Sequence, residues 1–315
     1  MSEENKKSKH KTEVPRWDIG YSLEFIKRQP GLDKVLPILN AAEKISAKSF
    51  LKDDKKVNVS SNAIGNHKII SLNKYTEALK NIYYKGYKKS SDVTRVIIDN
   101  VVNDILSRHI NADGRKLKLD DCLFYSISIG RGSPFGHIHS DTDWLQFPDA
   151  DGFQFWFLLE NSEETGNMFL VNTPLQGGND MPEAFYFLRN GIVVKTHHTT
   201  EPVEAPINVF ENIDACKFTF KYIDMKPGEC LILSKRQLHM SDFRPALEKN
   251  FSDRLAIHMR VIIKKPDSGS ITFWPNHPYA ERYPMHKHLS KICDKNFQIN
   301  VGRFSMVNFQ EFNKD

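Results

Sequence analysis

The sequence has few cysteines, and none of them has the spacing that a metal or redox motif requires. The four thiols are widely separated, at Cys122, Cys216, Cys230 and Cys293. Without a Cys-x-x-Cys pair, the chain has no signature of structural zinc or of a redox dithiol. We expect reduced thiols, as in a cytoplasmic protein.

Long apolar runs are also missing. No stretch of 18 apolar residues occurs, and the first dozen residues, MSEENKKSKHKT, lack the apolar segment of a secretory signal. We expect residues 1–14 to form a disordered tail and the protein to have no membrane partner.

The charge is close to balanced. A net charge of +5 comes from 44 basic and 39 acidic residues, with no arginine-rich run and no basic run interleaved with aromatic residues. This pattern argues against nucleic acid as a partner. A small anionic substrate remains compatible with it.

Apolar periodicity divides the remaining chain, residues 15–315, into parts of one expected domain. Residues 15–117 are predicted to be mainly helical, because apolar residues recur there every three or four positions. These residues are Leu36, Leu39, Ala42 and Ile45, then Leu72, Tyr75, Leu79, Ile82 and Tyr83, then Val93, Ile97, Val101, Ile105 and Leu106.

Short β-type runs separated by Gly, Pro, Asn or Asp replace this pattern in residues 118–265. The runs are Cys122–Ile129, Gly152–Leu159, Met168–Asn172, Ile192–Thr196, Cys216–Tyr222, Cys230–Leu233 and Arg254–Ile263. They indicate a β-sandwich or barrel. We expect an α+β protein with a double-stranded β-helix, or jelly-roll, core, followed by a C-terminal extension over residues 266–315.

A possible metal site lies in this β-rich part. His139 and Asp141 have the i, i+2 spacing that places two side chains on one face of a strand. With His239, they form two imidazoles and a carboxylate, the facial triad of non-haem Fe(II) oxygenases. His137 has the same spacing, but three such neighbours span nearly 14 Å and cannot all bind one ion. We therefore keep His137 out of the ligand set. Plain packing is its favoured role, and a place at the rim of the site is the alternative.

Three ordered segments resemble a known family. They are FGHIHSDTDWLQFPDADGFQFWFLLENSEETGNMFLVNTP, KPGECLILSKRQLHMSDFRP and RLAIHMRV. Together they resemble the iron- and 2-oxoglutarate-dependent dioxygenases of the phytanoyl-CoA hydroxylase type, over roughly residues 120 to 263. Two departures are Glu229, where Asp is common, and a longer gap between His239 and Arg254.

The resemblance implies Fe(II), 2-oxoglutarate and O2 as cofactor and cosubstrates. In this family the far carboxylate of 2-oxoglutarate needs a fixed cation, and arginine offers a bidentate fork. Arg254 is our first candidate and Arg260 the reserve. We place Gln154 and Tyr125 with them as further cosubstrate-binding candidates, with Gln154 facing the inside of the barrel.

The substrate residues follow from chemistry near the expected opening. A mixture of aromatic walls and cations suits a small molecule that bears a carboxylate. The candidates are Arg131, Trp144, Phe153, Arg236 and His137.

The predicted function is therefore an oxygenase that oxidises a C–H bond of a small metabolite by hydroxylation, desaturation or cyclisation. Two alternatives stay open: a catalytically silent binding or sensing module on the same barrel, and a cupin enzyme that uses zinc or manganese without oxygen chemistry. We expect a monomer or a homodimer.

Overall fold

The computed structural model describes residues 32–51, 55–60, 66–85, 92–131, 147, 149–161, 167–172, 184–189, 192–197, 209–214, 219–235, 237–249, 254–273, 291, 293–296 and 298–300. In this part of the chain the α-helices are α1 (Leu32–Asn40), α2 (Asn73–Tyr84), α3 (Asp92–His109) and α4 (Arg244–Lys249). None of these helices combines the length and the apolar character needed to cross a bilayer.

Strands make up most of the described regular structure. They are β1 (Glu43–Ser46), β2 (Val57–Asn58), β3 (His67–Ser71), β4 (Ile110–Asn111), β5 (Cys122–Arg131), β6 (Asp151–Asn161), β7 (Met168–Asn172), β8 (Ala184–Arg189), β9 (Ile192–His197), β10 (Val209–Asp214), β11 (Thr219–Asp224), β12 (Glu229–Ser234), β13 (His239–Ser241), β14 (Arg254–Ile263), β15 (Ser270–Thr272) and β16 (Gln298–Asn300).

Two of the sheets form a sandwich. The larger sheet has the order β3-β12-β6-β14-β5, and the smaller has the order β1-β11-β7-β13. The chain crosses from the large sheet to the small one between β6 and β7, and then crosses again before β12, β13 and β14. Such repeated crossing is the connectivity of a jelly roll. Strands β8, β9 and β10 form a separate sheet of three.

Two cores lie on opposite faces of the large sheet. The helix-side core joins its outer face to α2 and α3 through Leu79, Ile98, Val101, Phe155 and Ile257, among others. The inter-sheet core lies between the two sheets. Its members include Trp156, Leu158, Leu231 and Leu233 from the large sheet, and Leu170 and Ile223 from the small one.

Helix α3 shows how the sequence builds the outer layer. Its buried side chains include Ile98, Val101 and Ile105, which recur at helical spacing and face the sheet. Val93, which the sequence pattern placed on this face, is half exposed. Asp92 in the first turn and the basic residues in the last turn complement the helix dipole.

The expectation of a mainly helical segment over residues 15–117 needs correction. Its described residues include helices α1, α2 and α3, but β1 and β3 are edge strands of the sandwich. Ile45, predicted to continue a helix, lies in β1, which pairs with β11 in parallel. The spacing of its apolar residues was compatible with a helix, and only pairing with β11 made this short segment a strand.

Strand prediction was more accurate in the centre of the sandwich. The bounds of β7 and β14 agree at both ends with those expected from the sequence, and β6 and β12 differ from theirs by one or two residues. Strands β8 and β10 were not expected. The Cys216–Tyr222 run corresponds to β11, which starts three residues later.

A tight turn leads into β12. Gly228 has φ +91°, its N–H donates to the Leu158 carbonyl, and its carbonyl accepts from the Leu72 N–H, each at 2.8 Å. The Glu229 carboxylate accepts from the Lys226 N–H at 2.8 Å. Glu229 can therefore stabilise this turn, although aspartate is common at this position in the family that the sequence resembles.

The Gly228 turn gives a test of the packing of α2 against the large sheet. A Cβ on Gly228 would lie 1.7 Å from Asn73 Oδ1, whereas one on Gly114, also at positive φ (+83°), would meet nothing within 4 Å. Both alanine variants should lose about 1–2 kcal/mol through backbone strain. Gly228→Ala should lose more in denaturant unfolding, and Asn73→Ala in the same chain should reduce the excess. Equal losses for the two glycines would contradict this packing.

Candidate active site

The predicted site residues fall into three groups: those whose side chains the structure describes, those for which it describes only the backbone, and those outside the described residues. Side chains are described for His239, Arg254, Arg260, Gln154 and Phe153, and only backbone positions for Tyr125 and Arg131. The remaining candidates lie outside the described residues: His137, His139, Asp141, Trp144 and Arg236.

Alternation along β6 decides which side chains face the gap between the sheets. Phe153, Phe155 and Phe157 belong to the helix-side core, and Trp156 belongs to the inter-sheet core. Because strand residues alternate between faces, Gln154 shares the inner face with Trp156. The expected inward orientation of Gln154 is therefore confirmed.

Phe153 must be corrected as a candidate substrate residue. It is fully buried in the helix-side core, on the outer face of the large sheet. A side chain there cannot line a pocket between the sheets, because the period of a strand puts it on the opposite face from Gln154.

The neighbouring strand β14 shows the same alternation. Leu255, Ile257 and Met259 belong to the helix-side core, so Arg254, His258 and Arg260 are on the inner face. Arg260 lies opposite Gln154, and His258 lies opposite Trp156. Tyr125 of β5 is the backbone partner of Arg260 on its other side. Arg131 is opposite Leu255.

His239 begins β13 and is buried, with a relative exposure of 5%. Its Nδ1 lies 3.0 Å from the carbonyl oxygen of Gln237. A carbonyl can only accept, so this contact puts the proton on Nδ1 and leaves the lone pair on Nε2. An imidazole held in this way has the orientation of a metal ligand.

Gln237 is itself fixed by the strands around it. Its side-chain amide donates to the carbonyls of Val171 at 3.2 Å and Leu238 at 3.0 Å. The Val171 N–H also donates to the Leu238 carbonyl. These bonds connect the start of β13 to β7 and set the backbone carbonyl that orients His239.

Arg254 reaches from the large sheet to the small one. Its guanidinium donates to the Asn167 carbonyl and, at 2.8 Å, to the Ser241 hydroxyl. The guanidinium carbon lies 5.2 Å from the centre of the Trp156 ring. The side chain is therefore held beside β13, close to the strand that carries His239.

Burial makes the charge of Arg254 costly. It lowers the pKa of the guanidinium to about 10, although nearby Asp242 and Tyr222 act in the opposite direction. Asp242 already forms a two-point ion pair with Arg244, with N–O distances of 2.8 and 3.0 Å. The acceptors that Asn167 and Ser241 offer to Arg254 are neutral, so an anion beside the guanidinium would favour its charged form.

The route of the chain sets the level of His239 along the sandwich. Only five positions separate Ser234, at the end of β12, from His239 at the start of β13. Such a segment spans at most about 18 Å, of which crossing between facing sheets takes about 10 Å. Leu233 pairs with Gln154 and Ser241 accepts from Arg254, so the chain passes His239 on its way from the Gln154 end of the large sheet to the residue that Arg254 contacts.

No group of three His, Cys, Asp or Glu side chains in the described part of the chain could hold a metal ion. Two of the predicted ligands, His139 and Asp141, lie outside that part. The donor chemistry that is described, a buried imidazole with Nδ1 held by a carbonyl, fits one ligand of an iron site.

Sequence reasoning missed the residues that hold Arg254. Ser241 could have been found, because it follows His239 at i+2 and so faces the same side of β13. Asn167 acts through its backbone carbonyl, for which the sequence carries no signal. His258 was not among the candidates, although it occupies the inner face between the two arginines.

The fold is similar to those of several solved enzymes. The iron and alpha-ketoglutarate-dependent endoperoxidase NvfI is 12% identical, with a TM-score of 0.37 over 62% of this chain and 77% of that chain. The alpha-ketoglutarate-dependent carbocyclase SnoK from nogalamycin biosynthesis is 13% identical, with a TM-score of 0.38 over 75% and 89%. The epimerase SnoN is 12% identical, with a TM-score of 0.31 over 88% of this chain and 89% of that chain.

No protein-family model matches the sequence, and no curated protein matches it. The structural similarities are weak in identity and in TM-score. A functional proposal therefore has to rest on the residues of this chain.

A partly buried histidine at the edge of the large sheet is expected to make stability depend on pH. His67 lies opposite Leu233, and its ring meets that of Phe50 edge-on at 5.8 Å. Burial, and then Lys221 and Lys55, lower its pKa to about 4. The unfolded chain, with an ordinary histidine pKa of about 6.5, takes up the proton at higher pH than the folded chain.

The neutral His67 side chain therefore makes its full contribution to the free energy of unfolding above pH 6.5. This contribution is lost as the pH falls from about 6.5 to about 4. The free energy of unfolding, measured by urea titration, should be lower at pH 5 than at pH 7. His67→Phe should show a smaller decrease between the two pH values. An equal decrease in both proteins would contradict the burial of a neutral imidazole.

Proposed function

We propose that this protein is an Fe(II)- and 2-oxoglutarate-dependent oxygenase of the phytanoyl-CoA hydroxylase type that oxidises a C–H bond of a small, carboxylate-bearing metabolite. One observation carries the proposal. A buried imidazole with its Nδ1 held by a carbonyl, His239, lies on the same strand as Ser241, which accepts a hydrogen bond from the buried cation Arg254. His239 and Arg254 are the two residues that the sequence suggested for the distal metal ligand and for the cosubstrate anchor.

His239 would bind the metal through Nε2, together with His139 and Asp141. When bound, the iron would activate O2 as the oxidant, with 2-oxoglutarate supplying two electrons as it is decarboxylated to succinate and CO2. The contribution of this chain is to hold the ligands rigidly. The Gln237 carbonyl orients the His239 ring, and the side-chain amide of Gln237 donates to the Leu238 and Val171 carbonyls, which fixes the backbone next to it.

Arg254 would bind the far carboxylate of 2-oxoglutarate. Its guanidinium is positioned by the Ser241 hydroxyl and the Asn167 carbonyl, and it lies over the Trp156 ring. Because the site is desolvated, a charge-assisted pair there is stronger than one in water. The carboxylate would also offset the cost of burying the cation.

The substrate assignment rests on chemistry at the expected opening of the sandwich. Arg131, Trp144, Arg236 and His137 are retained as substrate-side candidates, and Tyr125 as a cosubstrate-side candidate. Lys235, next to Arg236 in the chain, is buried, and its ammonium donates to the Ala150 carbonyl at 2.5 Å. This lysine acts as a structural contact between β12 and the start of β6.

A spectroscopic experiment tests the reaction class without a known substrate. Purified protein with Fe(II) and 2-oxoglutarate under nitrogen should develop a visible charge-transfer band, because the cosubstrate chelates the metal. A silent binding module that lacks bound iron, or a zinc or manganese cupin, would give no such band. Release of succinate with a metabolite mixture in air would then establish turnover.

The first prediction from this proposal concerns the ligands. His139→Ala, Asp141→Ala and His239→Ala should each abolish the band and succinate release, while circular dichroism and the melting temperature change little. His109→Gln is the control, because His109 lies at the end of α3, on the helix side of the large sheet. Normal turnover in any of the three ligand variants would exclude the triad.

The second prediction separates the two arginines. Arg254→Ala should raise the Kd for 2-oxoglutarate by one to three orders of magnitude, because a charge-assisted pair in a desolvated site contributes ~2 to 4 kcal/mol. Arg260→Ala should change this Kd much less. Titration of the charge-transfer band measures both values, and the reverse ranking would show that the cosubstrate lies at the other end of the sheet.

A further inference from the structure

We propose that Gln154 and Arg260 form an anchor for the carboxylate of the organic substrate, separate from the cosubstrate anchor at Arg254. The inference rests on the proposed oxygenase function and names the substrate class: a 2-hydroxy or 2-amino carboxylate with an apolar body. It changes the role that the sequence suggested for both residues, which was to bind the cosubstrate.

The first observation is the state of the Gln154 side chain. It has 1% relative exposure, and neither its amide oxygen nor its amide nitrogen has a hydrogen-bond partner among the described residues. Burying an amide without partners is unfavourable, and the great majority of such groups in proteins are paired. An amide in this state on the inner face of the sandwich is explained by a ligand that supplies both a donor and an acceptor.

The second observation is the pairing of Gln154 with a cation. Arg260 is its backbone partner on β14, and the two side chains share the inner face. Directly opposed side chains on adjacent antiparallel strands have Cβ atoms about 5 Å apart. One small group can therefore contact the guanidinium and the amide at the same time.

The third observation is the separation of the two arginines. Arg254 and Arg260 are six residues apart on the same strand, so their Cα atoms are about 20 Å apart. The guanidinium of Arg254 is fixed next to Ser241 on the opposite sheet. One short diacid chelating a metal at His239 would be held by Arg254 or by Arg260, and not by both.

The position of His239 assigns the two roles. His239 lies between the level of Arg254, which reaches Ser241, and the level of Gln154, which pairs with Leu233 near the end of β12. A cosubstrate anchored at Arg254 approaches the metal from one side. The Gln154–Arg260 pair is on the other side, and we assign it to the molecule to be oxidised.

The chemistry of the pair identifies the ligand class. The guanidinium donates to a carboxylate, preferably through two bonds, and the Gln154 amide nitrogen can donate to the same group. The amide oxygen then needs a donor next to the carboxylate, which a 2-hydroxyl or 2-amino group provides. Leu233 flanks Gln154, and Trp156 follows it on the same face, so an apolar body fits beside the anchor.

Mandelate is a suitable probe, because it joins a carboxylate and a 2-hydroxyl to an apolar ring. Calorimetric titration into the Fe(II)- and 2-oxoglutarate-loaded protein under nitrogen should show binding. Methyl mandelate, which lacks the charge, and phenylacetate, which lacks the hydroxyl, should each bind more weakly. Failure of the wild-type protein to bind mandelate would overturn the proposed ligand class.

Two variants locate the anchor. Arg260→Gln and Gln154→Leu should each weaken mandelate binding at least about tenfold, with the affinity for 2-oxoglutarate unchanged. Arg95→Gln is the matched control, because Arg95 lies on α3 and pairs with Asp99. Mandelate binding that is unaffected by both variants would remove the anchor.

Stability provides a second readout that a structural role would not give. If the amide of Gln154 is kept for a ligand, Gln154→Leu should leave the melting temperature of the ligand-free protein unchanged or raise it. A clear fall would show that the amide is a structural group and would overturn the inference.

The charge-transfer band distinguishes a failure of the proposed oxygenase function from a failure of the proposed substrate anchor. Its absence in the wild-type protein would remove the oxygenase function. Its presence, with 2-oxoglutarate affinity reduced in Arg260→Gln and preserved in Arg254→Ala, would overturn only the assignment of the two anchors.

Discussion

The period-two alternation of two central strands is the constraint on which the site depends. Strands β6 and β14 lie next to each other inside the large sheet and are covered by helices on one face and by the small sheet on the other. Gln154 and Arg254 on the inner face are buried, whereas His258 and Arg260 there are partly exposed. A buried polar side chain on this face needs a partner from the opposite sheet or from a ligand.

The inner face meets this requirement in two different ways. Arg254 is satisfied across the gap by Ser241 and Asn167, and it lies over Trp156. The Gln154 amide, further along the face, has no hydrogen bond within the described residues. This contrast between a cation fixed by the fold and an amide left for a ligand gives the inner face two functionally different ends.

The sequence predicted what depends on local pattern. The bounds of β7 and β14 agreed with their apolar runs, and the inward orientation of Gln154 was expected from alternation with its aromatic neighbours. The same alternation should have excluded Phe153 as a substrate residue. The strand β1 was missed, because four residues with apolar spacing compatible with a helix became a strand only through pairing with β11.

The sequence by itself determined which residue types are available and which strand face each one occupies, because side-chain period is a local property of an extended chain. It also supplied the order of the motifs that suggest iron and 2-oxoglutarate chemistry. Only the tertiary structure decided that Arg254 is held by Ser241 and by a backbone carbonyl of Asn167. Those relations depend on how one sheet lies over the other, and contacts between residues distant in the chain are set by packing and not by local sequence.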